Sequence, residues 1–137
     1  MNSLISFDLN KNLQELDGND WGEPNYNSGL VVTCHALRTK PLKDFTAADL
    51  RIMIGQQINS EYLIPMALEL LAKDPFVKGD CYKGDLLASV LQTASDFWDL
   101  HPDLNYELDN IMIEVDCFIE VLSPLAENYN KVRGNWA

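Results

Sequence analysis

Apolar residues along this chain recur mostly at helical spacing. Leu30, Val31, Cys34 and Leu37 stand at i, i+1, i+4 and i+7, one face of a helix over 28–40. Ser28 is placed to cap it. Arg38 and Lys40 fall in the last turn, where cations suit the helix dipole, and Pro41 stops it. Thr46 opens the next helix, with Asp49 completing a variant capping box. Leu50, Met53, Ile54 and Ile58 form its buried stripe. Gly55 inside this stripe suggests a close approach by another backbone. The run SEYLIPMALELLAK is apolar almost all round and predicts a central helix. Pro65 is comfortable only in a first turn, so that helix is predicted from about Ile64 to Asp74–Pro75. Asp85 then caps LLASVLQTA, with Leu86, Leu87, Val90 and Leu91 facing in, and Ser95 caps SDFWDLH, whose Phe97 and Trp98 need cover.

The longest helix is predicted from Leu104 to Leu122, roughly 28 Å at the α-helical rise. Ser123–Pro124 breaks it. With Leu104 at zero and about 100° per residue, Leu104, Leu108, Ile111, Met112, Val115, Phe118, Ile119 and Leu122 fall within an arc of about 120°, the expected core stripe. Asp109, Asp116 and Glu120 lie on the far side, and Tyr106, Ile113, Cys117 and Val121 also lie off the stripe.

Between these segments the chemistry is that of loops. NKNLQELDG offers a turn or two of helix stopped by Gly18, and GNDWGEPNYNSG is a loop that Trp21 and Tyr26 are expected to pin to the body. The tail, with Tyr129 and Trp136, is left open between docking back and fraying. Strict apolar–polar alternation is rare, and no Asn-Gly turn joins two apolar strands. The expectation is an all-α fold, a compact bundle of six to seven helices. It forms a single domain over 1–137, with 1–20 and 124–137 peripheral.

Charge changes the picture. Residues 84–130 hold ten acids and no lysine or arginine, so nearly all of the net −11 sits in one third of the chain. Nucleic acid and anionic membranes are poor partners for such a surface, and a basic protein is a good one. Solvation alone also explains an acidic surface. No run of 18 apolar residues suggests a membrane span, and MNSLISFDLNKN lacks the basic start of a signal peptide. Three cysteines without CxxC spacing suit reduced thiols in a cytoplasmic protein.

Catalytic chemistry finds no support. Cys34 and His35 are sequence neighbours, about 100° apart on a helix, and cannot face each other as nucleophile and base. No HExxH, CxxC, EF-hand or phosphate-loop spacing occurs. We expect no enzyme, no metal and no cofactor.

Five motifs in one order give a sharper reading. Trp21–Pro24 (WGEP), Thr33–Arg38 with Lys40–Leu42, Asp49–Gln56, Tyr62–Glu69 and Gly79–Leu87 together resemble the immunity proteins of contact-dependent growth inhibition. The resemblance covers about half of the chain, from Trp21 to Leu91, and implies a cytoplasmic protein. Such a protein binds and neutralises, one to one, the C-terminal toxin domain of a contact-delivered effector, and is a monomer when free. Family toxins are most often nucleases, and an RNase is favoured here. An acidic surface would then block the toxin's basic active-site region. Within the motifs, Gly22, Pro24, Gly55, Pro65 and Gly84 read as backbone requirements. Specificity must lie in residues that differ between pairs. The candidates for toxin binding are therefore Asp96, Asp99, Asp103, Tyr106, Asp109, Ile113, Asp116 and Glu120, with Trp21 and Glu23 second. The alternative is an acidic adaptor, or a phosphate mimic that inhibits a cellular nuclease without a cognate toxin.

Overall fold

Polar caps start the first helices. Asn12 accepts from the Glu15 N–H while the Glu15 carboxylate accepts from the Asn12 N–H, opening α1 (Leu13–Asp17), and Gly18, left-handed at φ 69°, closes it. Ser28 caps α2 (Gly29–Leu37), and Thr46 with Asp49 makes the capping box of α3 (Ala47–Gly55). Between them Leu42–Asp44 form a 3₁₀ turn behind Pro41. Then come α4 (Ser60–Lys73), α5 (Asp85–Leu91), α6 (Ser95–Leu100), α7 (Pro102–Cys117) and α8 (Ser123–Arg133). The computed structural model describes residues 4–25 and 28–134; Tyr26 and Trp136 lie outside the described residues. Among these the only extended pairing is an isolated bridge between Lys78 and Lys83, and the all-α expectation holds.

The core is built around α4. Its Leu63, Ile64, Ala67, Leu68 and Leu71 are buried, and α3, α5 and α7 pack against it. Leu50, Met53 and Ile54 meet them from α3, Leu86, Leu87 and Val90 from α5, and Leu104, Leu108, Ile111 and Val115 from α7. Leu13 of α1 is fully buried, with Leu4, Phe7 and Leu9 packed against the same cluster. Phe97 and Trp98 of α6 also pack there, edge to face with each other.

Several local expectations are corrected. α4 begins at Ser60, not Ile64, so Pro65 sits inside it. The ring can donate nothing to the Glu61 carbonyl, but Glu61 is exposed and water can serve it. The apolar run on both sides of Pro65 keeps the helix through it. Asp85 is the first helical residue of α5, not its cap, and Leu91 is exposed, as is Leu30 of α2. Ala94, not Ser95, precedes α6. Arg38 is not a solvated cation at a helix end but is 1 % exposed. Gly55 meets only the Ser89 hydroxyl at 3.7 Å, an ordinary contact. The close approach is at Gly79, where a Cβ would lie 3.1 Å from the Asp85 carboxylate and 3.3 Å from the Ala47 carbonyl.

The largest correction concerns the last helix. Cys117, Phe118, Leu122 and Ser123 all keep right-handed helical backbone, and Phe118–Leu122 form a π turn. α7, the π turn and α8 are one continuous rod, so the described residues form seven helical rods. Ser123–Pro124 does not break it. A proline ring inside an α-helix collides with the carbonyl four residues back, here Glu120, and it lacks an N–H for that acceptor. A wider turn just ahead of the proline absorbs both defects. The rod therefore runs on past the edge of the body. Leu104, Leu108, Ile111 and Val115 are buried as expected, but Phe118, Ile119 and Leu122 are exposed, because among the described residues no helix outside the rod packs closely on the π turn.

Candidate partner-binding surface

The solvent side of α7 is set by its own periodicity. Residues 106, 109, 113, 116 and 120 alternate in steps of three and four, so Tyr106, Asp109, Ile113, Asp116 and Glu120 form one stripe opposite the buried one. All five are exposed. Asp96 and Asp99 on α6 and Asp103 in the first turn of α7 are exposed as well, and α6 packs directly against α7. Each carboxylate carries charge into solvent with no base from its own segment beside it. A carboxylate row beside an aromatic and an isoleucine can form the rim and anchors of a protein interface.

The shared motifs build a scaffold beneath. The guanidinium of Arg38 donates through Nη1 to Asp17 (2.5 Å) and Asn59 (3.1 Å), and through Nη2 to Asp17 (3.1 Å) and the Asn19 carbonyl. It also lies 4.7 Å from the centre of the Trp21 ring. Trp21 meets His35 edge-on at 5.1 Å, and the His35 Nδ1 lies 3.2 Å from the Gly22 carbonyl oxygen. One buried cation thus ties α1, the Trp21 loop and the start of α4 to the end of α2. The hydrogen bonds from Arg38 hold the Asp17 carboxyl down at about 2, against an opposing effect of burial. Gly22 supports the loop at φ 68°. Trp21, Leu30, Val31, Cys34, His35 and Ile58 line a shallow apolar pocket of about 300 Å³ beside it. Glu23 is exposed at the loop tip. Burial pushes the Cys34 thiol up, away from the thiolate a nucleophile needs.

A second knot forms at 79–85. Asp85 is buried, and burial alone would raise its carboxyl, yet the N–H groups of Gly79 (2.6 Å), Cys81 (2.8 Å) and Tyr82 (3.3 Å) donate to it and lower it overall. Arg51 from α3 binds the neighbouring Asp80 in a two-pronged pair, the second prong at 3.0 Å, and holds that carboxyl low. Asp80, Cys81 and Asp85 stand at metal-ligand spacing, the one such group among the described residues. Their carboxylates are already engaged by Arg51 and by backbone N–H groups, which is the arrangement of a loop anchor.

Sequence reasoning missed the exposed apolar arm. Leu125 is 62 %, Tyr129 59 % and Val132 76 % exposed, in contrast to 4–7 % for the buried residues of α7. The signal was present: Leu122, Leu125, Tyr129 and Val132 continue the steps of three and four beyond Pro124. A proline read as a stop hid it.

Compared with known proteins, the chain matches the model of a family described as CDI immunity proteins over residues 15–108. No curated protein and no solved structure matches it. The matched span ends inside α7: it takes in Asp96, Asp99, Asp103 and Tyr106, while Asp109, Ile113, Asp116, Glu120 and the whole arm lie beyond it. None of the described helices is long and apolar enough to cross a membrane.

Proposed function

We propose the following of a chain that belongs to the family of CDI immunity proteins: it acts in the cytoplasm as a binding protein, not an enzyme, and neutralises one cognate toxin domain in a 1:1 complex. The toxin is a nuclease, with an RNase favoured, because a phosphate-handling active site is basic and this surface is acidic. The carboxylates of α6 and α7 cover that site, standing where substrate phosphates would lie. The observation that carries this reading is the stripe of Asp109, Asp116 and Glu120 beside exposed Tyr106 and Ile113, within a segment of charge −10. Complementary fields accelerate association by up to about 10²–10³-fold, which serves an inhibitor that must act before the toxin reaches nucleic acid.

The test is direct. The purified chain is mixed with the C-terminal toxin domain encoded beside it, and toxin activity and complex mass are measured. Stoichiometric loss of activity with a 1:1 mass supports the reading, and full activity at excess chain rejects it. If the toxin binds without any basic surface being covered, the mechanism is wrong while immunity stands.

A further inference from the structure

The π turn decides which way the arm faces. A turn of i→i+5 bonds carries one residue more than an α turn, so it rotates everything after it by about 100°. Counted without that rotation, Leu125, Tyr129 and Val132 would continue the buried side of α7. Counted with it, they swing round to within about 60° of Tyr106 and Ile113 on the acidic side. Phe118, at the head of the turn, still faces the body and meets Phe76 at 5.6 Å between ring centres. Past that contact no helix covers the rod among the described residues. The exposed face thus runs unbroken from Tyr106 to Val132, about 40 Å at the α-helical rise. Tyr106 and Ile113 occupy its first part, flanked by the carboxylates of Asp109 and Asp116.

We infer that this rod face, with Leu125, Tyr129 and Val132 as its outer anchors, is the element by which the chain grips its toxin. It lies in an apolar groove of a basic protein, as an amphipathic helix lies in a partner's groove. The inference rests on the immunity reading above and adds the site of docking. Charge selects the occupant. From residue 84 to 130 the chain offers only acids, and bases return only at Lys131 and Arg133 on the tip. A second copy would bring another strongly acidic domain against the first, whereas a groove rimmed by lysine and arginine complements the α7 part of the face, with an acidic spot needed only opposite the tip. The family match ends at residue 108, so the arm lies outside the part of the chain that the family model describes.

The test uses the full chain carrying Leu125→Gln, Tyr129→Gln and Val132→Gln together. The three positions are exposed and outside the core cluster, and glutamine keeps helix propensity. Circular dichroism and thermal melting establish that the body is unchanged. Titration calorimetry against the C-terminal toxin domain encoded beside this chain then gives the affinity. The expected result is binding at least 100-fold weaker, with protection of a toxin-expressing cell lost. Equal affinity of variant and wild type overturns the inference and leaves immunity intact. A wild-type chain that does not bind that domain at all overturns both. A wild-type dimer in light scattering that the variant converts to monomer also overturns it, because a second copy is then the occupant.

Discussion

At the scale of single residues, the most consequential side chain is Arg38. A guanidinium at 1 % exposure is tolerable only because Asp17, Asn59 and the Asn19 carbonyl surround it. Removing the carboxylate by Asp17→Ala leaves an uncompensated buried charge, and we expect a loss of about 3–5 kcal/mol in urea unfolding. The pH dependence has a definite sign. Asp17 titrates at about 2 in the fold against an ordinary 3.8, so its contribution is complete above pH 3.8 and is lost as pH falls toward 2. The stability gap between wild type and Asp17→Asn should therefore close across that window, and a gap that stays constant would contradict the pairing. Gly84 makes a second case. At φ 94° it holds a conformation that a side chain resists, and Gly84→Ala should cost about 1–3 kcal/mol while a change at Gly29, which is unhindered, costs little. Of these features the sequence shows only the glycine. Arg38 reads as a helix-end cation because a local pattern cannot know that Asp17, 21 residues earlier, folds back over it.

At the scale of elements, Pro124 and the π turn belong together. Pro124→Ala restores the missing N–H and removes the clash with the Glu120 carbonyl. Amide exchange at Phe118–Leu122 should slow as the turn regularises, and melting temperature should hold or rise. Toxin affinity should nevertheless fall, because Leu125, Tyr129 and Val132 turn back by about 100°. Affinity that improves together with stability would show that the phase of the arm is irrelevant. The helices themselves were legible in apolar spacing and caps, since α2 and α3 begin where Ser28 and Thr46 place them and α1 ends at Gly18. Two of the misreadings share one cause. Proline at 65 and at 124 was treated as a boundary, and in both places the neighbouring helical turns hold the backbone through it.

At the scale of the whole molecule, charge and burial divide differently from the order of the chain. The acidic third contributes Asp85, Leu86, Leu87 and Val90 to the interior and contributes its later carboxylates to solvent. Reversing Asp109, Asp116 and Glu120 to lysine should slow association with the toxin by about tenfold or more at low salt and flatten its ionic-strength dependence. Stopped-flow mixing at several salt concentrations reads both effects, and unchanged rates would move the interface toward the Trp21–Glu23 loop. The far side of α7 was legible as acidic beside apolar. Which apolar residues stay uncovered was not, because that depends on where the body ends, and the body ends at the Phe76–Phe118 contact.

The arm's isolation has a thermodynamic consequence. α8 owes its helix to local forces alone: the Glu127–Lys131 pair at 3.9 Å, Lys131 and Arg133 in the last turn, and the left-handed Gly134. α7 supplies the nucleus, but past the Phe76–Phe118 contact no packing adds to these local forces, so the end of the rod frays more readily than its buried part and each encounter must order whatever fraction has frayed. Binding strength is then adjustable without altering one intermolecular contact. Asn128→Ala, which raises helix propensity on α8, should tighten the complex several-fold through the dissociation rate, by lowering the entropy lost on docking.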